Sequence, residues 1–166
     1  MARSVATTHL IDAVAVQHGL KVHETPFGFK FIGELLASDD ALMGGEESAG
    51  LSIKGHVPEK DGILACALVA EMVARKGKNL QELLAQLFHR VGALCTTRKD
   101  LPLTEAMQEN LDQKMANPPT AFAGLRISQV NKLDGCKLLL EDGSWFLIQP
   151  SGTEPIVRCL WRNSQS

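Results

Sequence analysis

Apolar positions in the first half of the chain recur at two periods. Leu10, Ile11 and Val14 follow Thr7 and Thr8 at helical spacing and stop at Gly19, which predicts a helix capped by one of the threonines. Leu20 to Glu24 then alternates as a strand does, until Pro26 and Gly28 break it. Phe29, Ile32, Leu35 and Leu36 predict a second helix, and the apolar stub Ala41-Leu42-Met43 runs into Gly44-Gly45. Helix, strand, helix, strand in this order predicts an α/β layer built on a mostly parallel sheet.

Beyond Pro58, Asp61 is placed to accept from the free amides of a helix whose Ile63, Leu64, Ala67, Leu68, Met72 and Val73 are apolar enough to predict deep burial. Gly77 ends it. Asn79 with Glu82 has the spacing of a capping box, ahead of an apolar stripe through Leu80, Leu83, Leu84, Leu87, Phe88 and Val91. After Gly92 the pattern changes to an apolar piece near Leu94, a helix from Thr104 to Met115, and short runs parted by Asp134-Gly135 and Asp142-Gly143. Asp-Gly between strand-like runs signals hairpins, whose favoured turn needs positive φ at both central residues. The expected organisation is an α/β layer with a mostly parallel sheet over residues 1–92, followed by a smaller α+β module with an antiparallel sheet over 93–166.

Composition narrows the function classes. The 166 residues are 45% hydrophobic with a net charge of -2 and no basic stripe, which argues against nucleic acid as a partner. No segment has the length of a membrane span or the core of a signal peptide, so a cytoplasmic protein is expected. Cys66, Cys95, Cys136 and Cys159 lie far apart and show neither zinc-ligand nor disulfide-scaffold spacing. None of the five histidines falls in a zincin pattern, and no metal ligand is assigned.

Two loops gather polar groups where apolar runs stop. Gly44-Gly45-Glu46-Glu47-Ser48-Ala49-Gly50 follows an apolar strand, where open α/β sheets tend to bind ligands, and Glu46 and Ser48 offer acceptors and a donor to neighbouring sugar hydroxyls. Taken alone, the string is equally a flexible acidic turn. Gln149-Pro150-Ser151-Gly152-Thr153-Glu154-Pro155, with Arg158 beyond it, places two hydroxyls, consecutive amides and a guanidinium where they can cradle an oxyanion; a rigid turn framed by prolines is the competing reading.

Three ordered strings lift that ambiguity: Thr25-Pro26-Phe27-Gly28-Phe29-Lys30-Phe31-Ile32, Gly45-Glu46-Glu47-Ser48 and Ser151-Gly152-Thr153-Glu154-Pro155, with Glu59-Lys60-Asp61-Gly62 between the second and third. Together they resemble the third and fourth domains of the α-D-phosphohexomutases, the phosphoglucomutase/phosphomannomutase family, which implies a partial α/β/α third domain over residues 1–92 that lacks its first strand and helix, and a partial α+β fourth domain over 93–166. The resemblance implies interconversion of hexose 1-phosphate and hexose 6-phosphate through a bound hexose 1,6-bisphosphate. It implies that Glu46 and Ser48 hold the sugar, that Gln149, Ser151, Gly152, Thr153 and Arg158 hold the phosphate that is not reacting, and that Lys30 lies near the reacting phosphate. The Glu46-Glu47-Ser48 form and the Phe29-Lys30 pair tilt the expected sugar toward glucose.

Two departures qualify the resemblance. Gln149 stands where an arginine commonly opens the phosphate loop, replacing a charged fork by a neutral amide. Neither a phosphoserine loop of the Thr-Ala-Ser-His-Asn-Pro type nor a magnesium loop of the Asp-Gly-Asp-x-Asp-Arg type occurs in the 166 residues. Mg2+ and the bisphosphate are therefore implied for a complete enzyme, and no catalytic residue beyond Lys30 is assigned to this chain. The expected partners are a hexose phosphate and mutase domains supplying the missing loops. Two descriptions result: the C-terminal portion of a mutase, or a noncatalytic module that binds sugar phosphate or docks on such an enzyme.

Overall fold

The computed structural model describes residues 1–151 and 154–164. The chain divides into two compact units, Met1–Leu94 and Cys95–Ser166.

The first unit is built on a four-stranded sheet. Its strands are β1 (Ala2–Ser4), β2 (His23–Thr25), β3 (Met43–Gly45) and β4 (Leu51–Ile53), in the order β2-β1-β3-β4. β1 runs parallel to both β2 and β3, while β4 is antiparallel to β3, so the sheet is mixed and mostly parallel. The sequence pattern shows β3 as an apolar stub and misses β1 altogether, because three residues are too few to display a period. Burial explains the missing alternation: Ala2, Arg3 and Ser4 are all buried, as a central strand covered on both faces must be. The strand expected over residues 20–24 forms only at His23–Thr25.

Helices α1 (Leu10–Gln17) and α2 (Phe29–Ala37) follow β1 and β2. The threonine cap on α1 is looser than expected: His9 occupies the N-cap position, and Thr8 Oγ1 accepts from the Leu10 amide at 3.2 Å. α2 lays Phe29, Ile32 and Leu36 against Ala2 and Ala41 to form a buried cluster. Successive residues of a strand face opposite ways, so Arg3 projects away from the side taken by Ala2. Its guanidinium donates to both carboxylate oxygens of Asp12 on α1, at 2.8 and 3.1 Å, and to Glu24 of β2 at 2.7 Å. A buried charge is tolerable only when so compensated.

α3 (Gly62–Lys76) and α4 (Leu80–Val91) begin where the sequence places them. Asp61 Oδ1 accepts from the amides of Ile63 and Leu64, and Asn79 and Glu82 form the reciprocal capping box. Burial is where expectation fails, since neither helix contains a buried residue. Ile63 is 85% exposed, Leu80 53% and Leu84 46%. α3 packs against β4, and among the described residues no element covers its outer apolar face. A groove of about 920 Å³ opens there, lined by Met72, Leu80, Leu83, Leu84 and Leu87.

The second unit is a curled antiparallel sheet with one helix. Its strands are β5 (Leu94–Pro102), β6 (Ala121–Phe122), β7 (Leu125–Asn131), β8 (Cys136–Leu140), β9 (Trp145–Pro150) and β10 (Ile156–Ser164), in the order β5-β10-β9-β8-β7-β6. α5 (Glu105–Ala116) starts at Thr104, whose hydroxyl accepts from the Met107 amide at 3.3 Å. Leu138, Leu140, Trp145, Leu147, Val157 and Leu160 are buried between these strands, and the rings of Phe122 and Phe146 stack at 4.6 Å. Both Asp-Gly pairs fall in hairpin connections, with a different geometry from the one expected. Gly143 has φ 80 while Asp142 is not left-handed, and the Gly143 amide donates to the Leu140 carbonyl at 3.0 Å. That arrangement is a turn closed by a single left-handed glycine, the three-residue form of hairpin loop.

Candidate functional site

The parallel strands β1, β2 and β3 bring their carboxyl ends to one edge of the first sheet, and three loops leave from that edge. This is the place where open α/β sheets present ligand-binding groups, beside the point where the chain switches direction across β1. The five-residue connection 46–50 joins the antiparallel strands β3 and β4, closed by Glu46 N donating to the Gly50 carbonyl at 2.9 Å and Ala49 N donating to the Glu46 carbonyl at 3.1 Å.

Glu46 is half-buried and its Oε1 accepts from the Gly28 amide at 3.1 Å, which ties the loop to the start of α2. Gly28 has φ 111, a conformation that residues with a Cβ rarely adopt, and this frees its amide to face the carboxylate. Burial pushes the Glu46 carboxyl above its ordinary value. The Gly28 N–H works against that shift by favouring the ionised form, while the neighbouring Glu47 charge reinforces it. Ser48 is exposed at the tip of the loop. The structure thus presents the Ser48 hydroxyl to solvent and keeps Glu46 partly recessed behind it.

Lys30 is exposed on the first turn of α2, with Nζ 4.7 Å from the centre of the Phe31 ring. Lys60 lies nearer the loop: its Nζ is 3.2 Å from Glu59 Oε1 and 5.9 Å from the centre of the Phe29 ring. Asp61 has a second role besides capping α3. Its Oδ2 is 2.8 Å from His56 Nε2, and this bond, with the two helix amides, holds the Asp61 carboxyl below its ordinary value.

In the second unit, β9 and β10 pair so that Gln149 lies opposite Arg158. Arg158 donates from Nη1 to Gln149 Oε1 and from Nη2 to Ser151 Oγ, each at 3.2 Å, and Nη2 is 3.7 Å from Glu154 Oε2. Three of the residues singled out in the sequence therefore meet around one guanidinium. Gly152 and Thr153 lie outside the described residues. Gln149 is buried and donates onward from Nε2 to Asp134 Oδ1 at 3.1 Å, a partner that the sequence offers only as half of a turn signal. Leu103 N donates to the Pro155 carbonyl at 2.8 Å, fastening the end of the loop next to β5. A guanidinium beside a serine hydroxyl, oriented by the buried Gln149 on a paired strand, is a set suited to a phosphate oxygen. Among the described residues no group of three or more His, Cys, Asp or Glu side chains is placed to hold a metal ion. Nor is any described helix long and apolar enough to cross a membrane.

Sequence reasoning missed two buried hydroxyls, Ser4 and Thr7, which lie behind the 46–50 loop. Ser4 Oγ donates to Glu47 Oε2 at 2.8 Å, a bond between residues 43 apart that only the pairing of β1 with β3 brings together.

Comparison with known proteins identifies the family to which the chain is similar. The model of the phosphoglucomutase/phosphomannomutase α/β/α domain III matches residues 1–91. A phosphoglucomutase/phosphomannomutase of Thermococcus kodakarensis is 30% identical over 155 residues, covering 93% of this chain and 32% of that protein. A phosphoglucomutase of Rhizobium radiobacter is 30% identical over 172 residues, covering 92% of this chain and 32% of that protein. Among solved structures, the open form of parafusin, a phosphoglucomutase from Paramecium, superposes with a TM-score of 0.78 at 28% identity, covering 99% of this chain and 33% of that one. The chain spans about a third of the length of the curated relatives it matches.

Proposed function

Since the chain belongs to the phosphoglucomutase/phosphomannomutase family, we propose that it recognises a hexose phosphate, with the 46–50 loop contacting the sugar and the loop after β9 contacting a phosphate. The observation that carries the reading is the convergence of Gln149, Ser151 and Arg158 in the second unit, where a cation stands beside a hydroxyl on a rigid strand pair. Arg158 is only partly buried and Glu154, its carboxylate partner at 3.7 Å, is exposed, so the guanidinium can exchange Gln149, Ser151 and Glu154 for phosphate oxygens at modest cost.

Each loop contributes a different kind of selectivity. Glu46 supplies a recessed acceptor and Ser48 an exposed hydroxyl, the pair a sugar with adjacent hydroxyls requires. The phosphate loop supplies charge without shape, so it accepts inorganic phosphate as well. Lys30, exposed at the start of α2, is the candidate contact to a second phosphate.

The isolated chain binds but does not turn over substrate. Phosphoryl transfer in the family needs a group to carry the phosphoryl and a metal to neutralise it, and neither the phosphoserine string nor the magnesium string occurs in these residues. Mg2+ and hexose 1,6-bisphosphate would belong to an assembly that includes domains carrying those loops.

Titration of the chain with glucose 1-phosphate and with inorganic phosphate tests the binding, and a coupled assay for glucose 6-phosphate tests the absence of turnover. Binding of glucose 1-phosphate that is tighter than that of phosphate, and weakened by Arg158→Ala, is the expected result. Magnesium-dependent product formation by the pure chain would overturn the noncatalytic part of the reading; no binding of either ligand would overturn the rest.

A further inference from the structure

The two consecutive acids of the 46–50 loop are held by different parts of the sheet edge. Glu46 accepts from the Gly28 amide ahead of α2, whereas Glu47 Oε2 accepts from Ser4 Oγ at the end of β1. Ser4 is wholly buried, at 0% exposure, and its Oγ is also 2.9 Å from Oγ1 of the buried Thr7. Hydrogen-bond chemistry gives this chain of groups a direction. An ionised carboxylate only accepts, so the single Ser4 hydroxyl hydrogen goes to Glu47. Thr7 must then donate to the Ser4 oxygen. The result is a relay from Thr7 to Ser4 to Glu47 in which each bond polarises the next. Thr7 N donates to the Ser4 carbonyl at 3.0 Å, so a backbone turn fixes the distance between the two hydroxyls.

We propose that Ser4 and Thr7 are positioning residues for the sugar-contact loop, acting through Glu47, and that Glu47 is an anchor rather than a sugar ligand. The proposal rests on reading residues 46–50 as that loop. Inside the loop the backbone closes on itself at only two points, Glu46 to Gly50 and Ala49 to Glu46, and Ala49 sits at φ 69, which an alanine adopts only under constraint. Glu47 lies between these closures and connects the strained segment to the central strand of the sheet. Removing the Ser4 hydroxyl leaves the Glu47 carboxylate half-buried without that donor. It then turns toward water, and the adjoining Glu46 and Ser48 lose the spacing at which they meet a sugar ring.

The closing experiment has two independent readouts on the full chain. The first is amide hydrogen exchange, residue by residue, at Glu46 and Ala49, with Val5, which donates to the Thr25 carbonyl at 2.8 Å, as the reference for the sheet itself. The second is the ratio of affinities for glucose 1-phosphate and inorganic phosphate. In Ser4→Ala, Thr7→Val and Glu47→Ala, exchange at Glu46 and Ala49 is expected to rise tenfold or more while Val5 stays protected. Thr7→Ser and Glu47→Gln, which keep a donor and an acceptor respectively, are expected to behave as the parent does. The affinity ratio falls toward one in the first three variants, with inorganic phosphate affinity retained. Unchanged loop exchange in Ser4→Ala and Glu47→Ala overturns the proposal, as does a rise that includes Val5 equally and so marks a role in the fold alone. If Ser4→Ala does not fold, Glu47→Ala decides from the loop side. A parent chain with equal affinity for both ligands removes the sugar reading, while loop exchange still decides whether Ser4 and Thr7 hold the loop.

Discussion

Arg158 Nη1 donates to Gln149 Oε1 at 3.2 Å across the β9–β10 pair, and Gln149 Nε2 in turn donates to Asp134, so a neutral amide relays between a cation and a carboxylate. Gln149 thus orients the guanidinium of Arg158 with an acceptor, where a second positive charge would repel it.

Arg158→Ala should therefore weaken binding of inorganic phosphate and of glucose 1-phosphate together. A charge-assisted hydrogen bond of about 1.5–3 kcal/mol corresponds to a loss of roughly tenfold or more. Calorimetric titration checks it, and equal affinity in the variant would show that the anion binds elsewhere.

Gln149→Arg places a second guanidinium beside Arg158, with Asp134 able to compensate only part of the charge. The expected outcome is a lower melting temperature without ligand and a larger rise on adding phosphate, because a dianion relieves the repulsion and meets a bidentate fork. Thermal melts with and without phosphate separate the two effects; a ligand-induced rise no larger than the parent's would refute it.

Glu46 provides a pH signature. A carboxyl whose native value is raised by burial is ionised at a cost in the folded state, so its effect on stability is unfavourable at neutral pH and disappears as pH falls below the ordinary carboxylate range. Glu46→Gln keeps an acceptor for the Gly28 amide and never ionises. It should melt higher than the parent at pH 7, and the difference should shrink through the acidic range. A difference that is constant with pH would place the shift on another group.

Gly28→Ala should destabilise the first unit by roughly 1–3 kcal/mol, the usual cost of forcing a Cβ into a glycine-only conformation. Chemical denaturation measures it. Glycine is required by the backbone there and not by crowding, since no atom lies within 4 Å of the added Cβ.

The exposed apolar face of α3 and α4 predicts concentration-dependent self-association, because Ile63, Leu80 and Leu84 stand in water on neighbouring helices. Sedimentation velocity should show a shift toward larger species with concentration, reduced when these three residues are changed to glutamine. A monomer at every concentration, unaffected by the substitutions, would contradict it.

What the sequence determined by itself was local. Caps at Asp61 and Asn79, the apolar period of α2 and α4, and the breaks at Gly77 and Gly92 all depend on residues within one or two turns of each other, so their signals survive without the rest of the fold. The motif strings located both candidate loops for the same reason, each being a contiguous run. Tertiary structure decided everything that depends on which strand lies beside which. It made Ala2–Ser4 the central strand, too short and too completely buried to show a period. It set Asp134 against Gln149, and Ser4 against Glu47, across 15 and 43 residues of chain. It also left the outer face of α3 uncovered among the described residues, contrary to its composition, since an apolar sequence states only that a helix has a face to bury and not whether a neighbour is present to bury it.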